Sequence, residues 1–181
     1  MATARSSLEA LADWLAATAK KIFLEDGEHG TTAHIWVKGY PLFVGVTGSE
    51  DGKDALRALL EMAARGGADG CGVVTECWAS GGDPESLARA LAWRASGRSL
   101  EKLPGRTEML CIGLASPAGI EHREFEILRA GSKVGLRKQP PMEPYWNRFL
   151  SDLPWPTPPA GVRRRARRAA RGRTKTGGNH G

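Results

Sequence analysis

The residues best suited to chemistry gather on one short apolar run. The stretch 70–80, GCGVVTECWAS, holds Cys71 and Cys77, two of the three cysteines, and a single acid, Glu76. Its apolar residues continue without clean alternation, which predicts a central strand buried on both faces. Cys71, Val73, Thr75 and Cys77 would share one face, and Val74, Glu76 and Trp78 the other. A carboxylate in such a strand must be paired, hydrogen-bonded or neutral. Two carboxylates whose surroundings push their pKa values apart form a general acid–base pair, so Glu76 with Glu108, and His34 beside them, is the candidate catalytic set. The structural alternative is a Glu76 bonded to Arg106 or to backbone N–H groups.

Other chemistry is weaker in the pattern. Cys77 with His34 or His122 would be a nucleophile only if a cation or helix N-terminus lowered its thiol pKa, and Glu76 supplies neither. Cys71 and Cys77, six residues apart on one strand, are separated by about 20 Å, too far to share an ion. With no CxxC and no HExxH, and with Cys111, His34 and His122 dispersed, no metal and no cofactor is expected. The run 47–53, TGSEDGK, lacks the full phosphate-loop spacing, and Glu50 and Asp51 already satisfy the helix end that a phosphate would need.

The strongest partner signal lies at the other end of the chain. Arg163, Arg164, Arg165, Arg167, Arg168, Arg171, Arg173 and Lys175 place eight positive charges and no acid within residues 163–175. Set against a whole-chain charge of +6, they leave the remaining residues at −2. Arginine stays charged and pairs with phosphate through two hydrogen bonds, so the arm suits nucleic acid or another polyanion. No aromatic side chain interrupts the run, so base stacking is not implied. With few apolar side chains to offset ordering entropy, residues 162–181 are expected to be disordered when free.

The elements that must position these residues follow from periodicity and punctuation. Ser6 and Glu9 form a capping-box pattern before a helix over about 7–25, with Leu8, Leu11, Leu15, Ala19 and Ile22 inward. Residues 33–38 and 42–47 read as a hairpin through Gly39–Tyr40. Pairing Lys38 with Pro41 sets Ala33, Ile35 and Val37 on one face and His34, Trp36 and Phe43 on the other. Pro41 cannot donate a closing hydrogen bond, so the turn is expected to be open or longer than two residues. Ser49 caps a second helix over about 50–65. Residues 80–105 form an insertion with a short helix opened by Asp83–Pro84, on which Leu87, Leu91 and Arg94 share a side. Residues 107–115 and 120–129 pair around SPAG, with Ala115 opposite Ile120 and Leu110 opposite Phe125. A short strand over 133–138 follows.

The order helix, hairpin, helix and central strand, with Ala68, Asp69, Val74, Glu76 and Trp78 and then Pro104, Arg106 and Glu108, resembles a group of small uncharacterised prokaryotic and phage α/β-domain proteins. The resemblance ends near residue 138. It implies a shared small domain and no activity.

Prolines 140, 141, 144, 154, 156, 158 and 159 mark a linker. Within it, Trp146, Phe149, Leu150 and Leu153 keep helical spacing and either dock on their own domain or present a face to a partner. The reading is an α+β domain over 1–138, a linker over 139–161 and a basic tail over 162–181. The sheet is expected to be mixed and mainly antiparallel, of about five strands, with helices covering one face. No apolar run reaches membrane-span length, no secretory h-region opens the chain, and an odd cysteine count suits reduced thiols in a cytoplasmic protein. The function expected is non-catalytic, through the arginine-rich arm. An enzyme around Glu76, or an adaptor using residues 144–155, are the alternatives.

Overall fold

The computed structural model describes residues 4–45, 50–80, 83–140, 150 and 152–156, and these form an α+β domain. Helix α1 spans Ala4–Asp26, α2 Glu50–Arg65 and α3 Pro84–Ala95. The strands are β1 Thr32–Val37, β2 Tyr40–Gly45, β3 Gly70–Ala79, β4 Thr107–Ser116, β5 Gly119–Ala130 and β6 Lys133–Gln139. They make one six-stranded sheet in the order β2-β1-β3-β4-β5-β6. Every ladder is antiparallel, so the expected mixed sheet of about five strands is corrected to six strands with no parallel pair among the described residues.

The helices also depart from expectation, because they do not share one face. α1 packs on β4 and β5, and its Leu8, Leu15 and Phe23 cluster with Trp36, Val74, Leu110, Ile112 and Phe125. α2 packs on β1 and β3, and its Leu56, Leu60 and Ala64 cluster with Ala33, Ile35, Cys71 and Val73. These two sets alternate along β1 and β3, so they lie on opposite faces. A central strand whose apolar residues point both ways needs cover on both sides. Along β3 that cover is complete for Gly70–Val74, while 75–79 is only half-buried. Val74 is fully buried, and Val74→Ala should cost about 1–3 kcal/mol through lost burial and a cavity. Unchanged denaturant stability would contradict that packing.

Local chemistry explains most element ends. α1 begins before the expected start, so Ser6 lies inside it; it stops where Gly27 N–H donates to the Phe23 carbonyl at 2.8 Å. α2 closes with Gly67 N–H to Ala64 O at 3.1 Å and Ala68 N–H to Ala63 O at 3.0 Å, a Schellman pair. Asp83 caps α3 by accepting from the Ser86 N–H at 2.8 Å, with Pro84 at its first turn. Its inward residues are Ser86 and Ala90, whereas Leu87 and Leu91, on the side they share, are exposed.

The first hairpin pairs Val37 with Tyr40, not Lys38 with Pro41. Lys38 and Gly39 both take positive φ, 51° and 77°, so the turn is the two-residue kind that matches strand twist. Pro41 falls opposite Trp36 on an edge strand, where its missing N–H forfeits no ladder bond. The shift is two residues, so both faces keep their side chains. The second hairpin has the expected register, Ala115 to Ile120 and Leu110 to Phe125.

Beyond β6, Leu150 and Leu153 are buried in the α2-side cluster, with Trp155 packed against it. The intramolecular alternative therefore describes these two residues. Trp146, Phe149, the Ser49 cap and the whole arm 162–181 lie outside the described residues. Among the described residues, no helix is long and apolar enough to cross a membrane.

Candidate functional site

Glu76, Glu108 and Arg129 meet on the α1 face of the sheet, one from each of β3, β4 and β5. Glu76 pairs in register with Leu110 and Trp78 with Glu108, so the two acids are diagonal neighbours on one face. Arg129 binds Glu108 with both arms of its fork, Nε to Oε2 at 2.8 Å and Nη2 to Oε1 at 2.7 Å. The same Nη2 lies 3.8 Å from Glu76 Oε2. Nη1 donates to the Gly27 carbonyl at 3.0 Å, and the guanidinium sits 5.7 Å from the centre of the Phe23 ring. The arginine thus ties the C-terminal end of α1 to three strands. The backbone N–H of His29 donates to Glu76 Oε1.

Arg106 is not the partner of Glu76. Its guanidinium stacks over the Trp78 ring at 4.7 Å and its Nη1 donates to the Leu103 carbonyl. Burial pushes the Glu76 carboxyl above its ordinary value, and the Glu108 charge adds to this. The His29 N–H and the Arg129 charge pull it back down. Side-chain exposure is 23% for Glu76, 16% for Glu108 and 41% for Arg129, so the cluster is half-shielded from water. One cation serves two acids, and the arrangement reads as a structural clamp.

His34 does not join the acids. It pairs in register with Gly72, four residues along β3 from Glu76, about 13 Å away. Its ring stacks on Trp36 with centroids 6.0 Å apart, and its Nε2 lies 3.0 Å from Thr32 Oγ1. Burial and the neighbouring His29 lower its pKa to about 4, so it is neutral at physiological pH. His34 and His29 line a cavity of about 230 Å³ under α1, shared with Trp14, Leu15, Thr18 and Ile22. Neither Glu76 nor Glu108 reaches that cavity, so the candidate catalytic set is two acids and a remote histidine.

On the α2 face, Cys77 and Cys111 bring their sulfurs to 3.3 Å. Cys111 pairs with Thr75 in register, which makes the two thiols diagonal neighbours. Cys77 is half-buried and Cys111 buried. Cys71 lies elsewhere on that face, its thiol directed at the Leu60 carbonyl and pushed up to about 12 by burial. His122 pairs with Gly113, which faces Val73, so it too stands about 13 Å along the sheet from Cys77. Among the described residues, no group of three or more His, Cys, Asp or Glu side chains is placed to hold a metal ion.

Arg129 and His29 are the site residues that sequence reasoning missed, and Cys111 enters it only as a possible metal ligand, not as the neighbour of Cys77. The signal for Arg129 was present: the second hairpin sets Glu108 opposite Ile127, and the next residue on that face of β5 is Arg129. His29 sits in a loop and acts through its backbone, which no side-chain pattern reports. The eight cations of the arm lie outside the described residues. No family model, no curated protein and no solved structure matches the chain.

Proposed function

We propose that this is a non-catalytic cytoplasmic protein whose arginine-rich arm binds nucleic acid or another polyanion, with the α+β domain as its folded body. The observation that carries the reading is the run of eight cations without an acid at 163–175, joined to residues that sum to −2. Two features of the domain support it. Glu76 and Glu108 are engaged by one guanidinium and stand apart from His34, which weakens the enzyme alternative. Leu150 and Leu153 are buried in their own domain, which removes half of the adaptor face.

The test compares the full chain with one stopped after Gly161, each titrated with duplex DNA and single-stranded RNA at two salt concentrations. With roughly five to seven cations engaged, log K against log salt for duplex should slope by about −4 to −6. Binding should be nearly indifferent to sequence, because nothing in the run is arranged to read base edges. Equal affinity for both constructs, or affinity insensitive to salt, would remove nucleic acid as the partner.

A further inference from the structure

We propose that Cys77 and Cys111 are a reversible dithiol–disulfide couple, a covalent modification site for low-molecular-weight disulfides in which Cys77 is attacked first and Cys111 resolves the adduct. The geometry carries this. The sulfurs are 3.3 Å apart on neighbouring strands of one sheet. The gap to a bond of about 2.05 Å is just over an ångström. Access is unequal, since Cys77 is half-buried and Cys111 is buried. The third thiol, Cys71, is buried and six residues from Cys77 on the same strand, about 20 Å away, so it cannot take either role.

Access divides the labour between the two sulfurs. Either thiol can donate across the contact, and an S–H from Cys111 favours thiolate at Cys77. Burial and the charges of Glu124 and Glu76 oppose ionisation at Cys77, and burial and Glu124 do so at Cys111. Cys77, the more accessible sulfur, is therefore the one that meets an external disulfide first. Its thiolate attacks one sulfur of a small disulfide RSSR, forming Cys77–S–S–R and expelling RS⁻. Cys111 then attacks the Cys77 sulfur as its proton leaves, and a second thiolate RS⁻ departs and is protonated. Two protein thiols have been oxidised to one disulfide, and one external disulfide has been reduced to two thiols. The new bond would join β3 to β4 across the excursion that carries α3, on the face opposite the Glu76–Arg129–Glu108 clamp.

The experiment exposes the folded full chain to glutathione disulfide, quenches with an alkylating agent and maps peptides by mass spectrometry. The expected product has lost two hydrogens, carries no glutathione and links Cys77 to Cys111, with Cys71 alkylated only after unfolding. Cys111→Ser should trap glutathione on Cys77. Cys77→Ser should acquire glutathione on Cys111 at least about tenfold more slowly. A wild-type chain that stops at the mixed disulfide, does not react while folded, or links through Cys71 overturns the proposal. Equal adduct rates for the two serine variants overturn the order of attack. The wild-type peptide map decides the pairing by itself if a substitution at buried Cys111 prevents folding.

Discussion

Replacing Trp36 with alanine should lower the unfolding free energy by about 3–5 kcal/mol, the largest loss expected from a single truncation in this domain. The indole is buried beneath α1, in the cluster that contains Leu15, Val74 and Leu114. Its close seating depends on Gly72. A Cβ at that position would stand 3.1 Å from Leu15 Cδ2, 3.2 Å from the Gly113 carbonyl oxygen and 3.2 Å from the Trp36 ring. One of these neighbours is backbone of the adjacent strand and cannot swing away. Gly72→Val should therefore destabilise by overpacking, by about 1–3 kcal/mol or more. The two changes act on one space from opposite directions. In the double variant the valine enters the volume the indole has left, so the combined loss should fall short of the sum of the single losses by about 1 kcal/mol or more. Denaturant titration of the four proteins checks this. Strict additivity would mean that Gly72 is not what lets the indole and α1 approach β3.

That packing shows which parts of the fold periodicity could report. The second hairpin was readable to the residue because a short SPAG turn leaves one register that keeps Leu110, Ile112, Leu114 and Phe125 together. In the first hairpin the faces were readable but the turn was not. Attention to the missing N–H of Pro41 hid the positive-φ pair Lys38–Gly39, which moves the proline to a position where no N–H is needed. The helices were placed on one face although β3 already implied cover on both. Periodicity says which side of a helix is apolar and is silent on which side of the sheet that helix returns to. The candidate site divides the same way. Glu76 and Glu108 follow from alternation within their strands, and Arg129 from the hairpin register. Cys77 and Cys111 meet through the β3–β4 ladder, whose strands are joined by a long excursion through α3, and such a connection leaves register undetermined.

The clamp around Glu76 makes a prediction that separates a structural carboxylate from a catalytic one. Removing the cation with Arg129→Met leaves Glu76 and Glu108 side by side without their shared partner. A loss of about 1–3 kcal/mol at neutral pH is expected, moderated by the 41% exposure of the arginine side chain. The pH dependence follows from the direction of the Glu76 shift. Burial raises its folded pKa above the unfolded value, so the folded state holds the proton more tightly. Stability associated with this group is present below the unfolded pKa and falls as pH rises from there through the folded value. Arg129→Met removes one of the influences that pull that pKa down, so the fall should become steeper and extend to higher pH. Glu76→Gln keeps an oxygen to accept from the His29 N–H and has no charge to desolvate. That variant should flatten this part of the profile, and in the Arg129→Met background it should recover part of the loss at neutral pH. Denaturant stability of the four proteins at pH 5 and pH 8 tests the scheme. The clamp would be refuted by an Arg129→Met loss identical at the two pH values and untouched by Glu76→Gln. A Glu76→Gln variant of unchanged stability and pH profile that abolished an activity found by screening would move Glu76 from the clamp to a catalytic role.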